Sequence, residues 1–228
     1  MILIDMKRDI HTMSERNKLI AIEAGDGSGK TVQTELLVKA LREHGVVTRF
    51  DFPRYETFTG KFIRECLIGV HGDFLHLPPH FAALPYMIDR VNAREELYMA
   101  LSRGRVVCNR YVPSNIAHQS AKVSFADQGA VIAFIEKMEY ETLLMPRPDI
   151  VIYLYVPVRI AATLIRGDGG VRDQHEQDLA YQERVGTVYR LLSEERKDWV
   201  IIECMKDEKL MSPEEIHKKV MEAVLPIL

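Results

Sequence analysis

Leu19-Ile20-Ala21-Ile22-Glu23-Ala24-Gly25-Asp26-Gly27-Ser28-Gly29-Lys30-Thr31 is the stretch whose reading decides the fold. An apolar run rich in β-branched residues is followed by a glycine-rich loop, then Gly-Lys-Thr, then a segment of helical period. Strand, loop and helix in that order form the phosphate-binding P-loop. Gly25, Gly27 and Gly29 let the backbone turn its N–H groups toward phosphate oxygens, with Asp26 and Ser28 between them. The helix that begins near Gly29 adds the positive end of its dipole. Lys30 is placed to bridge the β- and γ-phosphates of ATP, and the Thr31 hydroxyl to bind Mg²⁺. Ala24 stands where the first P-loop glycine usually is. Its methyl is tolerable only if that residue has ordinary backbone angles.

Working outward, apolar runs recur at Leu19–Ile22, Val46–Phe52, Val106–Cys108, Ile150–Val156 and Val200–Ile202. Most are short and bounded by turn residues, as buried parallel strands are. Helical periodicity fills about 29–43, 57–69, 78–102, 114–121, 127–144, 157–165, 177–195 and 212–225. This alternation predicts an α/β three-layer sandwich around a central five-stranded parallel sheet, of the P-loop NTP hydrolase type. Ligands then gather beyond the carboxyl ends of the strands. Ser212-Pro213-Glu214-Glu215 reads as a capped helix start. Residues 1–17 are mostly polar and read as an N-terminal extension, with 18–228 as a single domain.

The 228 residues carry a net charge of −3, so no basic field recruits nucleic acid. Cys66, Cys108 and Cys204 are odd in number and widely spaced, which fits a reduced cytoplasmic compartment better than a disulfide framework or a metal site. No run is long enough to span a membrane, and the first residues do not form a signal peptide.

Four further constellations carry chemistry. Phe52-Pro53-Arg54-Tyr55 ends the second strand, and Arg54 can hold a second phosphate in a bidentate fork. Tyr86 and Arg90 are four apart on one helix face, an aromatic for stacking beside a cation for hydrogen bonding. Asn109-Arg110-Tyr111 follows the third strand. Behind it, Ser114 suits a helix N-cap and Asn115 offers both donor and acceptor to the imide face of a base. Residues 166–176 hold three glycines and two arginines, as a lid closing on a triphosphate would, with Arg166 and Arg172 to neutralise the transferred group.

Together these residues resemble the thymidylate kinase family of P-loop nucleoside monophosphate kinases, from about Lys18 to the last helix. The resemblance implies transfer of the ATP γ-phosphoryl group to dTMP. It gives Asp26 the sugar 3′-hydroxyl and the Mg²⁺ shell, and Arg54 the dTMP phosphate in a pocket lined by Phe52 and Tyr55. It stacks Tyr86 on thymine and assigns Arg90 a thymine carbonyl and Asn115 the base edge. Arg110 falls near both phosphates, and Ser114 belongs to the same motif. Apart from the resemblance, the loop after the last strand, with Lys206, reads as an adenine-side wall. The catalytic arginine must come from the lid, because the P-loop carries none. Homodimers are usual in the family, with 57–102 and 127–144 as candidate contacts. Asn109 replaces the usual aspartate, and His118 replaces an aromatic near the sugar 2′ position. Two alternatives stay open: a kinase for another pyrimidine nucleotide or a deoxynucleoside, and a regulatory P-loop protein that only binds nucleotide.

Overall fold

The computed structural model describes residues 17–166 and 178–228. Five strands, β1 (Leu19–Ala24), β2 (Val47–Asp51), β3 (Arg105–Asn109), β4 (Ile150–Tyr155) and β5 (Trp199–Glu203), form one parallel sheet in the order β2-β3-β1-β4-β5. All six residues of β1 are buried. Their side chains alternate between two cores, because a central parallel strand is covered on both faces. Leu19 and Ala21 join one core, with Val106, Val151 and Tyr153 from neighbouring strands. Ile20, Ile22 and Ala24 join the other, with Val107 and Ile152.

Helices cover both faces. α1 (Lys30–Arg42) lies on one side, and its Leu37 and Leu41 enter the second core. α2 (Phe58–Leu67), α3 (Pro79–Val91), α4 (Arg94–Arg103), α5 (Val112–Ser120) and α6 (Phe125–Glu136) follow in chain order. α7 (Val158–Arg166), α8 (Leu179–Glu195) and α9 (Pro213–Val224) complete the described α-helices. The α/β class and the five-stranded parallel sheet match the sequence expectation. The capping box at α9 is formed: Glu215 N–H donates to Ser212 Oγ at 3.2 Å, and Ser212 N–H to Glu215 Oε2 at 2.8 Å.

Three local expectations are corrected, and one loop gains structure. The single helix expected over 78–102 is two, α3 and α4. Ala93, fully buried, takes φ −97° and ψ −3° at the break. Side chains on both sides tie the turn elsewhere: Asn92 Nδ2 donates to Thr59 Oγ1 at 3.1 Å, and Arg94 Nη1 to Leu143 O at 2.9 Å. The helix expected over 127–144 changes after α6 into a wider π-helical stretch, Lys137–Thr142, which carries Glu139 inward. Ser114 is not an N-cap, because α5 already begins at Val112. The late loop contains a two-residue hairpin, β6 (Met205–Lys206) with β7 (Lys209–Leu210), turning through Asp207 and Glu208 at positive φ. Among the described residues, no helix is long and apolar enough to cross a membrane.

Candidate functional site

The P-loop begins where β1 stops. Ala24 is the last residue of β1, pairs with Leu154 of β4 and is fully buried, so its methyl meets the condition set by its sequence position. Gly27 and Gly29 both have φ +74°, a conformation that disfavours any side chain. Gly29 caps α1 without a side-chain bond, and the first turn holds no acidic residue. Within the first turn of α1, then, no acidic side chain opposes an anion at the positive end of the helix dipole. Ser28 Oγ is buried without a protein partner.

Beside the cradle lies a cavity of about 150 Å³. Asp26, Phe52, Tyr55, Tyr86, Arg90, Arg110, Ser114, Asn115 and His118, all singled out in the sequence, line it. Arg110 is its electrostatic centre. The Arg110 backbone is left-handed, φ +65°, and its N–H donates to Ile22 O at 3.0 Å. The guanidinium pairs with Asp26 and donates to Ser114 Oγ at 3.2 Å, with His118 Nε2 3.5 Å away. Burial disfavours its charge, but Asp26 overrides that effect and raises its pKa. Gln182 Nε2 from α8 also donates to Asp26, at 3.2 Å. Tyr181 O–H donates to His118 O at 3.0 Å, so the 3.1 Å contact between His118 Nδ1 and Tyr181 Oη runs from the ring N–H. Nε2 is then left as an acceptor toward Arg110.

Arg90 and Asp89 are buried, not a solvated helix face. Arg90 Nε donates to Glu139 Oε1 at 2.9 Å, and Nη2 to the same oxygen. Burial works against the guanidinium charge, and Glu139 outweighs it, so the Arg90 pKa lies above its ordinary value. Asn115 Nδ2 donates to Ala83 O at 3.2 Å, leaving Asn115 Oδ1 buried and unpartnered at the cavity.

Three residues of the site were not singled out in the sequence. Gln119 is fully buried, lines the cavity, and has neither amide atom partnered. Its place one helical turn after Asn115 was the available signal. Glu23 is a carboxylate inside an otherwise apolar strand, itself a signal. It accepts Tyr111 N–H at 2.8 Å, Ser114 O–H at 2.5 Å and Tyr189 O–H at 2.9 Å. Burial raises its pKa, offset in part by Ser114 and Arg110. Glu139 lies 49 positions from Arg90, and no local pattern announces it.

Other expected residues sit apart. Arg54 does not line the cavity. Its backbone N–H donates to Asp89 Oδ2 at 2.8 Å, and its guanidinium pairs with Asp89 at 3.7 Å and Glu96 at 3.5 Å. Lys206 lies on the exposed hairpin after β5. Arg166 ends α7, whereas Arg172 and nearly all of the expected lid at 166–176 lie outside the described residues. The three cysteines are buried and free. Among the described residues, no group of three or more His, Cys, Asp or Glu side chains could hold a metal ion.

A P-loop at the end of a central parallel strand, with a second polar cavity facing it, defines the P-loop nucleotide kinase architecture. Comparison with known proteins narrows the class. The thymidylate kinase family model matches residues 22–219. A thymidylate kinase of Mycobacterium tuberculosis is 35% identical over 184 residues, covering 77% of this chain and 85% of the relative. One from Schizosaccharomyces pombe is 30% identical over 218 residues, covering 92% of each. The solved thymidylate kinase of Candida albicans superposes with a TM-score of 0.70 over 92% of both chains, at 21% identity. The chain belongs to the thymidylate kinase family.

Proposed function

We propose that the protein transfers the γ-phosphoryl group of ATP to dTMP, giving dTDP, with Mg²⁺ as the metal. The observation that carries this reading is the buried, unpartnered amide chemistry of the second cavity. Asn115 Oδ1 and both polar atoms of Gln119 are unpartnered within the protein. A buried amide left unmatched costs about 1–3 kcal/mol, so a ligand edge with both donor and acceptor is favoured there. The imide edge of thymine has that pattern, and Arg90 adds a donor for a carbonyl. Tyr86 and Phe52 supply flat apolar surface for the ring.

The chemistry asks little of the protein beyond alignment and charge. Lys30 and the loop N–H groups hold the donor phosphates. Arg110 faces both sides, fixed by Asp26 and Ser114, and offsets repulsion between the two phosphates. Asp26 orients the acceptor sugar. Arg166 and Arg172 are proposed to complete the neutralisation around the transferred group. The residues at the P-loop fit Mg²⁺: Thr31 offers a hydroxyl oxygen, and the buried Asn109 Oδ1 is an acceptor without a protein partner. Asp26, which pairs with Arg110, is proposed to accept from waters of the cation's shell. When bound, the cation neutralises charge between the β- and γ-phosphates.

A homodimer is proposed through α2 and α3. Phe58 is 89% exposed and Phe81 66%, and Phe81, Leu84 and Ile88 share one face of α3 at helical spacing. A cytoplasmic location is supported by the three buried free cysteines.

The test is direct measurement of product from Mg²⁺-ATP with dTMP, dUMP, UMP, dCMP, dGMP or thymidine. Fast dTDP formation with slow use of dCMP and dGMP is expected. Preferential phosphorylation of thymidine or a purine monophosphate would overturn the assignment of the cavity.

A further inference from the structure

The carboxylate at the edge of the phosphate site lies at the end of β2. β2 and β3 stop in register, with Asp51 opposite Asn109. Asn109 Nδ2 donates to Asp51 Oδ1 at 2.7 Å and lies 3.5 Å from Thr31 Oγ1. That contact fixes the amide, because turning it over would set two acceptor oxygens against each other. Asn109 Oδ1 is consequently the atom left buried without a protein partner. Arg49 also meets Asp51, with Nε donating to Oδ2 at 2.7 Å and Nη2 to Oδ1 at 2.6 Å, while its Nη1 reaches Glu35 at 3.3 Å. The Asp51 side chain nevertheless keeps 47% exposure and stays open to solvated ions.

We propose that Asp51 is the positioning residue for the divalent cation that accompanies ATP, supplying from β2 the negative charge that neutral Asn109 does not bring from β3. This rests on the phosphoryl-transfer reading above. Mg²⁺ keeps several of its waters when it binds through phosphates and one protein oxygen, so the groups that accept from those waters set its affinity. Thr31 contributes the oxygen from the helix start. Asn109 contributes a neutral acceptor held in one orientation, and Asp51 both holds that orientation and adds the charge. Arg49 tempers the charge, but an exposed pair is weakened by solvent.

The experiment measures Mn²⁺ affinity in the complex of the full chain with a non-hydrolysable ATP analogue, by electron paramagnetic resonance. Asp51→Asn is expected to weaken Mn²⁺ about tenfold, within the range found for partners that orient metal ligands. Asp51→Asn with Asn109→Asp exchanges carboxylate and amide across the same 2.7 Å contact and is expected to restore most of that loss. Arg49→Met, which keeps the carboxylate, is expected to bind Mn²⁺ at least as well as wild type. Unchanged affinity in Asp51→Asn, failure of the exchanged pair to restore it, or equal losses in Asp51→Asn and Arg49→Met would each overturn the proposal. Turnover of dTMP by the wild type is measured alongside. A wild type that binds Mn²⁺ with the analogue but forms no dTDP overturns the phosphoryl-transfer reading, whatever the Asp51 variants do.

Discussion

Replacing Glu139 with alanine removes the carboxylate on which Arg90 depends. Arg90 is 2% exposed and Glu139 fully buried, and two guanidinium N–H groups converge on one carboxylate oxygen. Removing one partner of such a pair leaves a buried charge uncompensated, at a cost of about 3–5 kcal/mol. For a chain of this size each kcal/mol moves the melting midpoint by about 2–4 °C, so a fall of about 6–20 °C is expected. Replacing both residues by methionine removes both charges and should recover most of the stability. It cannot recover the guanidinium proposed to meet the base, so KM for dTMP should rise in the double variant while KM for ATP stays near wild type. Thermal melts and steady-state kinetics on the two variants and the wild type measure both effects. A loss below about 1 kcal/mol in Glu139→Ala, or a double variant as unstable as the single, would refute the claim that this pair is a compensated buried charge held for the base.

Lys30→Ala should lose most of the turnover, by analogy with other transition-state donors worth about 3 kcal/mol, and near-normal kcat would remove Lys30 from the donor site. Gln119→Ala should raise KM for dTMP with little change in KM for ATP, and the opposite split would take Gln119 away from the base. Glu23 has a pKa raised above 4.5 by burial, so the folded protein holds that proton more tightly than the unfolded chain. Its contribution to stability should therefore fall as pH rises from about 4.5 through the raised value, and Glu23→Gln should flatten the fall. Urea melts over a pH series check this, and parallel curves for the two proteins would contradict it. Arg172→Ala should lower kcat more than it raises KM for dTMP, whereas an effect on KM alone would make Arg172 a binding residue.

The layers of the fold were legible because β1 and its loop combine two local signals, an apolar strand and glycines that turn it. The site was legible where chemistry and spacing coincide, as at Asp26, Arg110 and Asn115. Helix continuity over 78–102 was not, since Ala93 has no turn chemistry of its own and the break is set by partners on other elements. The Arg90–Glu139 pair depends on a π-helical stretch bringing a distant carboxylate inward, which no periodicity in the sequence encodes. Arg54 was readable as a cation at a strand end, but its engagement with Asp89 and Glu96 requires knowing how α3 and α4 pack beside β2. Asp51 is similar: only the strand register sets it beside Asn109.

The most direct test of the central claim is a single-turnover reaction of the enzyme with Mg²⁺, γ-labelled ATP and dTMP, following where the label goes. The label is expected in the β-phosphate of dTDP, with little inorganic phosphate formed. Label released as inorganic phosphate, or kept in tightly bound ATP with no labelled dTDP, would contradict it and point to a nucleotide-binding protein whose second cavity accepts no phosphoryl group.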